Sequence, residues 1–311
     1  MIQIDSSYKQ ILTIMSTLRL LIKPAIFTAG VCGTCFCASA IVQSERQRRS
    51  PYNVPTFTWR RNVLDQSQFG APDWSWRQQQ QSSWIGKLTE WRRRVYAWKN
   101  SLSTGEKLAF GTIAINLAVM GAWRLPALVP VMSKYFLSNS SPSKLALSPM
   151  ILSCFSHTMP LHFAFNMYAL YSFSNIATIF LGPEQLVGMF ISAGTVSSLA
   201  SIAHRLVTKR WTPSLGASGA ILGVVAYVCI KQPDSSLLLF FIPVAAGNAV
   251  KAIIAFDTLG LLARWSFIDH AAHLGGTLFG VWYALNGEQL YHKHRRSIAE
   301  KWIRLKTKYE D

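Results

Sequence analysis

The most constraining feature of this sequence is a series of apolar runs that follow one another from Leu108 to about residue 287. Each run holds about 16–20 residues with almost no charge, the length that a helix needs to cross about 30 Å of hydrocarbon. Half of the residues are hydrophobic and 14% are charged, whereas charged residues make up about 25% of a soluble chain. The sequence therefore predicts an all-α, polytopic membrane protein.

One apolar segment is separated from the other six. It comprises residues 24–43, and a cleaved secretory signal is an alternative for it, although its apolar run exceeds the roughly 7–15 residues of a signal core. The six core spans are predicted at residues 108–123, 161–180, 185–203, 215–230, 237–256 and 269–285. We therefore expect one extra amino-terminal transmembrane helix and a six-helix core over residues 108–286.

The regions outside these spans are basic. Residues 1–23 carry three basic residues against one acid, with hydroxyl residues interspersed, as in a mitochondrial targeting sequence. Residues 44–107 are predicted to be an aqueous linker, because eleven Lys and Arg against four acids between positions 44 and 100 cannot build a core. Residues 287–311 form a charged tail that is predicted to end in a surface helix.

Part of the linker has a helical pattern. Between residues 84 and 98, aromatic side chains recur at helical spacing beside Arg92, Arg93 and Arg94. This pattern is typical of an amphipathic helix on an anionic membrane surface, with residues 84–99 in contact with lipid. A solvated helix is the alternative.

The net charge of +17 raises the question of nucleic-acid binding. Membrane proteins carry an excess of Lys and Arg in their aqueous loops, and the sequence has no groove-reading motif, so no nucleic-acid partner is expected. Cys32, Cys35 and Cys37 have a spacing that metal or redox sites use, but no second pair follows. We interpret them as small buried residues.

Ser218 lies near the start of a predicted span, in the sequence Gly216-Ala217-Ser218-Gly219. Unpaired backbone N–H groups and the helix dipole favour a developing negative charge at such a position. A lone serine in a membrane helix usually bonds to its own turn instead. Gly219 and Gly223, however, form a GxxxG pattern that lets another helix backbone approach. Ser218 is therefore a candidate nucleophile.

His273 is the candidate base. Gly276 and Gly280 follow it on the same helical face, and this second GxxxG pattern would bring the imidazole within ~2.6–3.2 Å of the Ser218 hydroxyl. A serine hydroxyl needs a neighbouring base to take its proton, and a neutral imidazole suits that role. A histidine bonded to a carbonyl is the alternative. Asp269, one turn earlier, would either orient His273 or cap the helix.

His162 and Asn166 lie at positions i and i+4 of the span over residues 161–180, on one helical face. Both side chains can donate hydrogen bonds, so with the Ser218 backbone N–H they could form an oxyanion hole. A helix-packing role for the amide is the alternative.

A metal-dependent membrane enzyme or transporter is a rival interpretation. Its ligands would be His157, His162, His270 and His273. The segments lack convincing acidic ligands such as those of an HExxH motif, so we expect neither a metal nor another cofactor.

Three motifs together resemble the signatures of the rhomboid intramembrane serine proteases. They are Gly216-Ala217-Ser218-Gly219, Ala272-His273-Leu274-Gly275-Gly276 with Gly280, and His162-Phe163-Ala164-Phe165-Asn166, which match the family's GxSG, AHxxGxxxG and HxxxN patterns. The extra amino-terminal span and residues 246–257 and 269–276 resemble the mitochondrial presenilin-associated rhomboid-like subgroup. The resemblance covers about residues 21–290.

This resemblance implies a catalytic dyad of Ser218 and His273, an oxyanion site that includes His162 and Asn166, no metal, and a non-catalytic Asp269. It implies substrates that are single-span membrane proteins whose helix unwinds near the cut, including inner-membrane precursors and proteins of mitophagy, apoptosis and membrane fusion. An inactive rhomboid-like binding protein is the alternative, although both dyad residues are present.

Two positions depart from the family pattern. Leu222 stands where bacterial relatives have a tyrosine that packs against the base, so His273 must be held in another way. Trp123-Arg124 ends a predicted span, whereas the corresponding pair of bacterial relatives lies within the first long loop.

The resemblance also implies a multi-pass protein of the mitochondrial inner membrane. Seven spans place the two termini on opposite sides, with the amino terminus in the matrix. Residues 44–107 and the carboxyl-terminal tail would then lie in the intermembrane space, which is opposite to the simple positive-inside expectation.

Overall fold

The structure is a computed structural model that describes residues 6–49, 84–139, 145–239 and 242–310. The described residues are almost entirely helical, which confirms the predicted all-α class. They form two compact units, residues 1–44 with 104–311 and residues 45–103. The start of the predicted targeting segment and most of the predicted linker lie outside the described residues.

Helices succeed one another along almost all of the described chain. In chain order they are α1 (Ser6–Arg49), α2 (Trp84–Ser101), α3 (Thr104–Ala122), α4 (Val129–Tyr135), α5 (Pro149–Leu152), α6 (Pro160–Leu181), α7 (Pro183–Thr208), α8 (Ser218–Lys231), α9 (Ala246–Leu262), α10 (His270–Trp282) and α11 (Glu288–Glu310). Strands β1 (Ser236–Leu239) and β2 (Ile242–Ala245) pair antiparallel, with Ser236 opposite Ala245.

Short turns of other helical types extend several helices. A 3₁₀ turn at Pro126–Leu128 leads into α4, another at Ser153–Phe155 follows α5, and a π turn at Tyr283–Gly287 joins α10 to α11. Helix α11 covers most of the charged tail, so the tail is helical, as predicted.

The core helices α3, α6, α7, α8, α9 and α10 fall on the six predicted core spans, with one correction. The span predicted at residues 237–256 begins as the β1–β2 hairpin, and its helix starts only at Ala246. Pro243 lies in this stretch, and a proline in a helix interior removes a hydrogen bond and clashes with the preceding turn. Helix α1 is also longer than residues 24–43 and runs through Pro24.

Two helical segments are long and apolar enough to cross a membrane by themselves, Met15–Arg49 and Pro183–Thr208. The pair Thr104–Ala122 and Pro126–Tyr135, bent by 99°, could provide a third crossing. These findings concern the described residues, and the count of seven spans stays a prediction.

Helix α8 lies at the centre of the larger unit, against α6, α7, α9 and α10. Most of its side chains are buried, and among them Tyr227 is fully enclosed. The Tyr227 ring packs against the rings of Phe180 at 6.5 Å and Tyr283 at 5.9 Å between centroids. The helix that begins with Ser218 is thus fixed on its flanks by neighbouring helices.

Helices α8 and α10 touch backbone to backbone. A Cβ atom on Gly276 would overlap the carbonyl oxygen of Gly219, and one on Gly280 would overlap that of Gly223. The glycines of both GxxxG patterns therefore face each other, and the two helices approach as closely as their main chains allow.

Helix α1 packs on the outside of this core. Phe36 stacks on Tyr283 with 5.0 Å between ring centroids, and the Ser39 hydroxyl donates to the Glu184 carbonyl at 2.8 Å. Near the end of α1, Gln43 Oε1 accepts from the Tyr291 hydroxyl at 3.2 Å. Contacts along α1 thus reach the start of α7, the π turn after α10 and the first turns of α11.

The glycine contact predicts the response to a single methyl group. Gly280→Ala is expected to lower the free energy of unfolding by about 1–3 kcal/mol, because the methyl group would force α10 away from α8. The measurement is denaturant unfolding of the purified protein in mixed micelles. Gly111→Ala on α3 is the matched control, since nothing lies within 4 Å of a Cβ there. Equal stability of the two variants would contradict the close contact.

Candidate active site

Ser218 and His273 meet where α8 and α10 begin. Ser218 is the first residue of α8, and His273 lies in the first turn of α10. His273 Nε2 is 2.8 Å from Ser218 Oγ, within hydrogen-bond distance. The His273 side chain is 17% exposed, so the pair borders the surface of the helix bundle. The structure thus brings together the two residues that the sequence predicted as nucleophile and base.

The chain bends sharply just before Ser218. Gly216 has a φ of +132°, a region that side chains disfavour, and a Cβ there would lie 2.7 Å from Cε1 of His162. The Gly216 backbone N–H donates to the Ser153 carbonyl at 2.9 Å, and the Ala217 N–H points to His157 Nε2 at 3.4 Å. Glycine at this position therefore lets His162 pack directly against residues 214–217, which precede the predicted nucleophile and form what we call the nucleophile loop.

The predicted oxyanion residues occupy one side of this loop. His162 packs on Gly216, where an added Cβ would lie 2.7 Å from its Cε1. Asn166 is buried, and its Nδ2 donates to the His162 carbonyl at 2.9 Å. A carboxamide nitrogen carries two hydrogens, so this bond uses one of them.

His157 has a structural contact that the sequence did not predict. Its ring is fully buried, lies edge-on to His162 at 5.1 Å between centroids, and accepts from the Ala217 backbone. Trp123 and Arg124 bind the residues on either side of His157. Trp123 Nε1 donates to the Ser156 hydroxyl at 2.7 Å. An Arg124 amino group donates to the Thr158 carbonyl at 3.0 Å. This tryptophan–arginine pair thus holds the segment around His157, which contacts the nucleophile loop at Ala217.

Asp269 caps helix α10. Its carboxylate accepts from the Ala272 backbone N–H at 3.0 Å and from the Ser201 hydroxyl, and it lies 3.4 Å from a guanidinium nitrogen of Arg205. Only the backbone oxygen of Asp269 bonds to His273, through the His273 N–H at 3.0 Å. The structure therefore favours the capping alternative over a role in orienting the imidazole.

Arg205 is itself buried and ties several segments together. Besides Asp269 and Ser201, it donates to the carbonyl oxygens of Ser138 at 3.0 Å and Thr212 at 2.9 Å. One guanidinium group thus joins helix α7, the start of α10 and the segment before the nucleophile loop.

Asp257 faces the other side of His273, and the sequence did not single it out. It is 1% exposed on α9, and its Oδ1 lies 2.8 Å from His270 Nδ1 and 3.5 Å from His273 Nδ1. The sequence did contain a signal for Asp257, because an ionisable residue within an apolar helix is a candidate functional residue. Its partners could not be inferred, since they lie on a different helix.

The four histidines of the metal-site alternative separate into two pairs. His157 packs on His162, whereas His270 and His273 share Asp257. In the part of the chain that the structure describes, no three side chains of His, Cys, Asp or Glu converge as a metal-binding group. The metal-site alternative therefore lacks a ligand set there.

Comparison with known proteins agrees with the motifs and the geometry. Residues 145–287 match the rhomboid domain family, and the chain belongs to the rhomboid family. It is 42% identical over 293 residues to the mouse "Presenilin-associated rhomboid-like protein, mitochondrial", covering 93% of this chain and 73% of the mouse protein. The human protein of the same name is 41% identical over 296 residues, with the same coverage. "Rhomboid protein 1, mitochondrial" of Saccharomyces cerevisiae is 33% identical over 207 residues, 64% of this chain and 59% of the yeast protein.

These similarities confirm the resemblance that the three motifs indicated. They extend over almost the whole chain for the presenilin-associated rhomboid-like relatives and include residues outside the catalytic motifs. Family membership also agrees with the predicted polytopic membrane fold.

The Arg205 network predicts a large loss of stability from one substitution. Arg205→Gln is expected to lower the free energy of unfolding by about 3 kcal/mol, because it leaves the Asp269 carboxylate without its cation. Thermal unfolding in detergent measures the effect. Arg210→Gln, an exposed residue just after the end of the same helix, is the control and should change little. Similar unfolding temperatures for both variants would show that the buried ion pair does not stabilise α10.

Proposed function

We propose that this protein is an intramembrane serine endopeptidase in which Ser218 is the nucleophile and His273 the general base. The observation that carries the proposal is the 2.8 Å contact between Ser218 Oγ and His273 Nε2, made between two helices of an apolar bundle. Membership in the rhomboid family supports the same reaction class.

The reaction begins when a substrate helix unwinds beside the two residues. Ser218 Oγ attacks the scissile carbonyl carbon while its proton moves to His273 Nε2, and the carbonyl π electrons move to the oxygen. The product of this step is a tetrahedral oxyanion and an imidazolium.

The surroundings of Ser218 can stabilise that oxyanion. The first turn of a helix leaves its backbone N–H groups without intrahelical partners, and Ser218 is the first residue of α8. In the proposal, the Ser218 N–H and the side chains of His162 and Asn166 donate to the oxyanion. His162 is already packed against the nucleophile loop, and Asn166 lies one turn behind it on the same face of α6.

The remaining steps return the enzyme to its starting state. The intermediate collapses as the C–N bond breaks, and the leaving nitrogen takes the proton from His273 Nε2. Water then attacks the acyl-enzyme, gives a proton to His273, and releases the new carboxyl terminus as Ser218 Oγ regains that proton. In the proposal, this water approaches His273 on the side where the imidazole is exposed.

The relatives indicate where the enzyme acts. Because the proteins of mouse, human and yeast carry "mitochondrial" in their names, we place this chain in the mitochondrial inner membrane. Its proposed substrates are single-span membrane proteins of that membrane, including precursors and proteins of mitophagy, apoptosis and membrane dynamics. A substrate with one span can present an unwound segment to a site that opens within the bilayer.

The proposal predicts selective loss of chemistry in Ser218→Ala. The wild-type protein in lipid nanodiscs should be labelled covalently by a fluorophosphonate probe and should cleave a fluorescent single-span peptide, whereas Ser218→Ala should do neither. His273→Ala should reduce both activities to background, because the hydroxyl then has no base.

A serine substitution elsewhere in the helix bundle provides the control. Ser192→Ala removes a buried hydroxyl on α7 that lies away from the dyad, so it should keep both activities. Cleavage that persists in Ser218→Ala would overturn the assignment. A correctly folded wild type that takes neither probe nor substrate would favour the inactive, binding form of the family.

We further propose that α2 lies on an anionic membrane surface. The helix is present as predicted, and its apolar face is exposed: Trp84, Leu88, Trp91, Val95 and Trp98. Five basic residues against one acid give α2 a net positive charge, and several of them flank this face. Aromatic rings would insert among the lipid headgroups while the basic side chains reach the phosphates.

Cysteine labelling tests this surface. In a variant without the five native cysteines, Trp91→Cys should react more slowly with a water-soluble maleimide in vesicles that contain anionic lipid than in zwitterionic vesicles. Arg93→Cys on the opposite face is the matched control and should react equally in both. If position 91 reacts at the same rate in both vesicles, α2 is a solvated helix.

A further inference from the structure

Basic residues are concentrated at the end of the bundle where α8 and α10 begin, which we call the dyad end. Three segments connect helices there: residues 123–159 between α3 and α6, residues 209–217 before α8, and residues 263–269 before α10. Together they contain six Lys and Arg residues and a single acid, Asp269. At the opposite end of the bundle, acidic and basic residues are mixed, and the acids there are Glu106, Glu184, Asp234 and Glu288.

One buried guanidinium group joins the three segments. Arg205 bonds to the carbonyl oxygens of Ser138 and Thr212, in the first two segments, and to the Asp269 carboxylate in the third. Ser138 also pairs with Ser214 as an antiparallel bridge, with N–H···O distances of 2.9 and 3.0 Å. The basic residues of three distant parts of the sequence are therefore gathered at the end of the fold that holds Ser218 and His273.

The acids near the dyad end do not neutralise its surface. Asp269 is bonded to the buried Arg205, and Asp257 on α9 is 1% exposed. The exposed cations of the three segments include four that form no ion pair with an acid in the part of the chain that the structure describes. These four residues, which we call the basic rim, are Lys134, Lys209, Arg210 and Arg264.

Two residues of the basic rim have a backbone conformation that glycine adopts more easily. Lys209, at the end of α7, has a φ of +55°, and Arg264, after α9, has a φ of +58°. Arg264 occupies the position of a helix end where glycine is usual, since its N–H bonds to the Leu261 carbonyl and the next N–H bonds to that of Gly260. A left-handed conformation is costly for a residue with a side chain. The two cations at these positions therefore indicate a use for their charge.

Exposed aromatic rings place the basic rim at the membrane boundary. Trp211 follows Arg210 and is 40% exposed, and Trp265 follows Arg264 and is 44% exposed. Exposed tryptophan is typical of the level where hydrocarbon meets water. At this level, the cations can reach the part of a substrate that lies directly outside the bilayer, whereas its apolar helix stays below them.

We propose that the basic rim selects single-span substrates with acidic side chains just outside the membrane, on the side that the dyad end faces. Complementary charges raise the rate of encounter and fix the orientation of the bound segment. The rim acts on binding alone, because the reacting carbonyl meets Ser218 and His273. This inference rests on the proposed protease function and deepens it by assigning a charge to the substrates.

The experiment uses the full chain in nanodiscs of zwitterionic lipid and three fluorescent single-span peptides. The peptides differ only in three consecutive residues directly outside the span, next to the cut, which are Glu, Gln or Lys. Wild type should cleave the Glu peptide with a kcat/KM about tenfold above that of the Gln peptide, and the Lys peptide most slowly, because several exposed ion pairs each contribute modestly. The difference should lie in KM, since the charges bind ground state and transition state alike, and it should shrink at high salt.

A double glycine variant separates the role of the charge from effects on folding. Lys209→Gly with Arg264→Gly removes two charges and relieves both left-handed side chains, so it should fold at least as well as wild type. It should raise KM for the Glu peptide about fivefold and leave the Gln peptide unchanged. Lys293→Gln with Lys301→Gln, on the exposed surface of α11, removes the same charge and is the matched control, which should keep the preference.

Charge reversal provides the complementary test. Arg210→Glu with Arg264→Glu should turn the preference towards the Lys peptide. Equal kcat/KM for the three peptides in wild type would overturn the inference, and so would an equal loss for all three in the glycine variant. If that equality came with cleavage that rises with anionic lipid in wild type only, the rim would bind lipid headgroups instead. Failure of the proposed function is distinct, because it would appear as cleavage that survives Ser218→Ala.

Discussion

The close approach of two helix backbones is the constraint on which this structure depends. Four glycines, two on α8 and two on α10, remove every side chain that would keep the helices apart. In an apolar solvent such contacts are favourable because van der Waals packing and hydrogen bonds, rather than the hydrophobic effect, drive helix association. The distance between Ser218 and His273 follows from this packing, since both residues lie in the first turns of the helices that the glycines bring together.

The first turn of α10 lies between two carboxylates with different surroundings. Asp269 is bonded to a buried guanidinium and to backbone N–H, so its charge fixes the helix end to α7. Asp257 meets imidazoles among the contacts described, with its Oδ1 2.8 Å from His270 Nδ1 and 3.5 Å from His273 Nδ1.

The sequence was sufficient for the helical class, for the position of most core helices and for the pairing of Ser218 with His273, whose side chains lie 2.8 Å apart. Apolar runs set the length of each span, and the motifs around Ser218 and His273 carry both the reactive groups and the glycines. The hairpin at residues 236–245 was missed because an apolar run looks the same whether it folds as a helix or as paired strands. Asp257 was missed because its partners depend on how α9 packs against α10, and a local pattern does not contain that information.

Helix α1 has a consequence for the way in which a substrate could arrive. It lies over the start of α7 and the junction between α10 and α11, held by the Phe36–Tyr283 stack and by the bonds of Ser39 and Gln43. A protein that diffuses in the plane of the bilayer meets this part of the bundle as a surface already occupied. In the proposed protease, a substrate helix would therefore reach the bundle along the rest of its perimeter, and the amino-terminal helix would limit the directions of two-dimensional encounter.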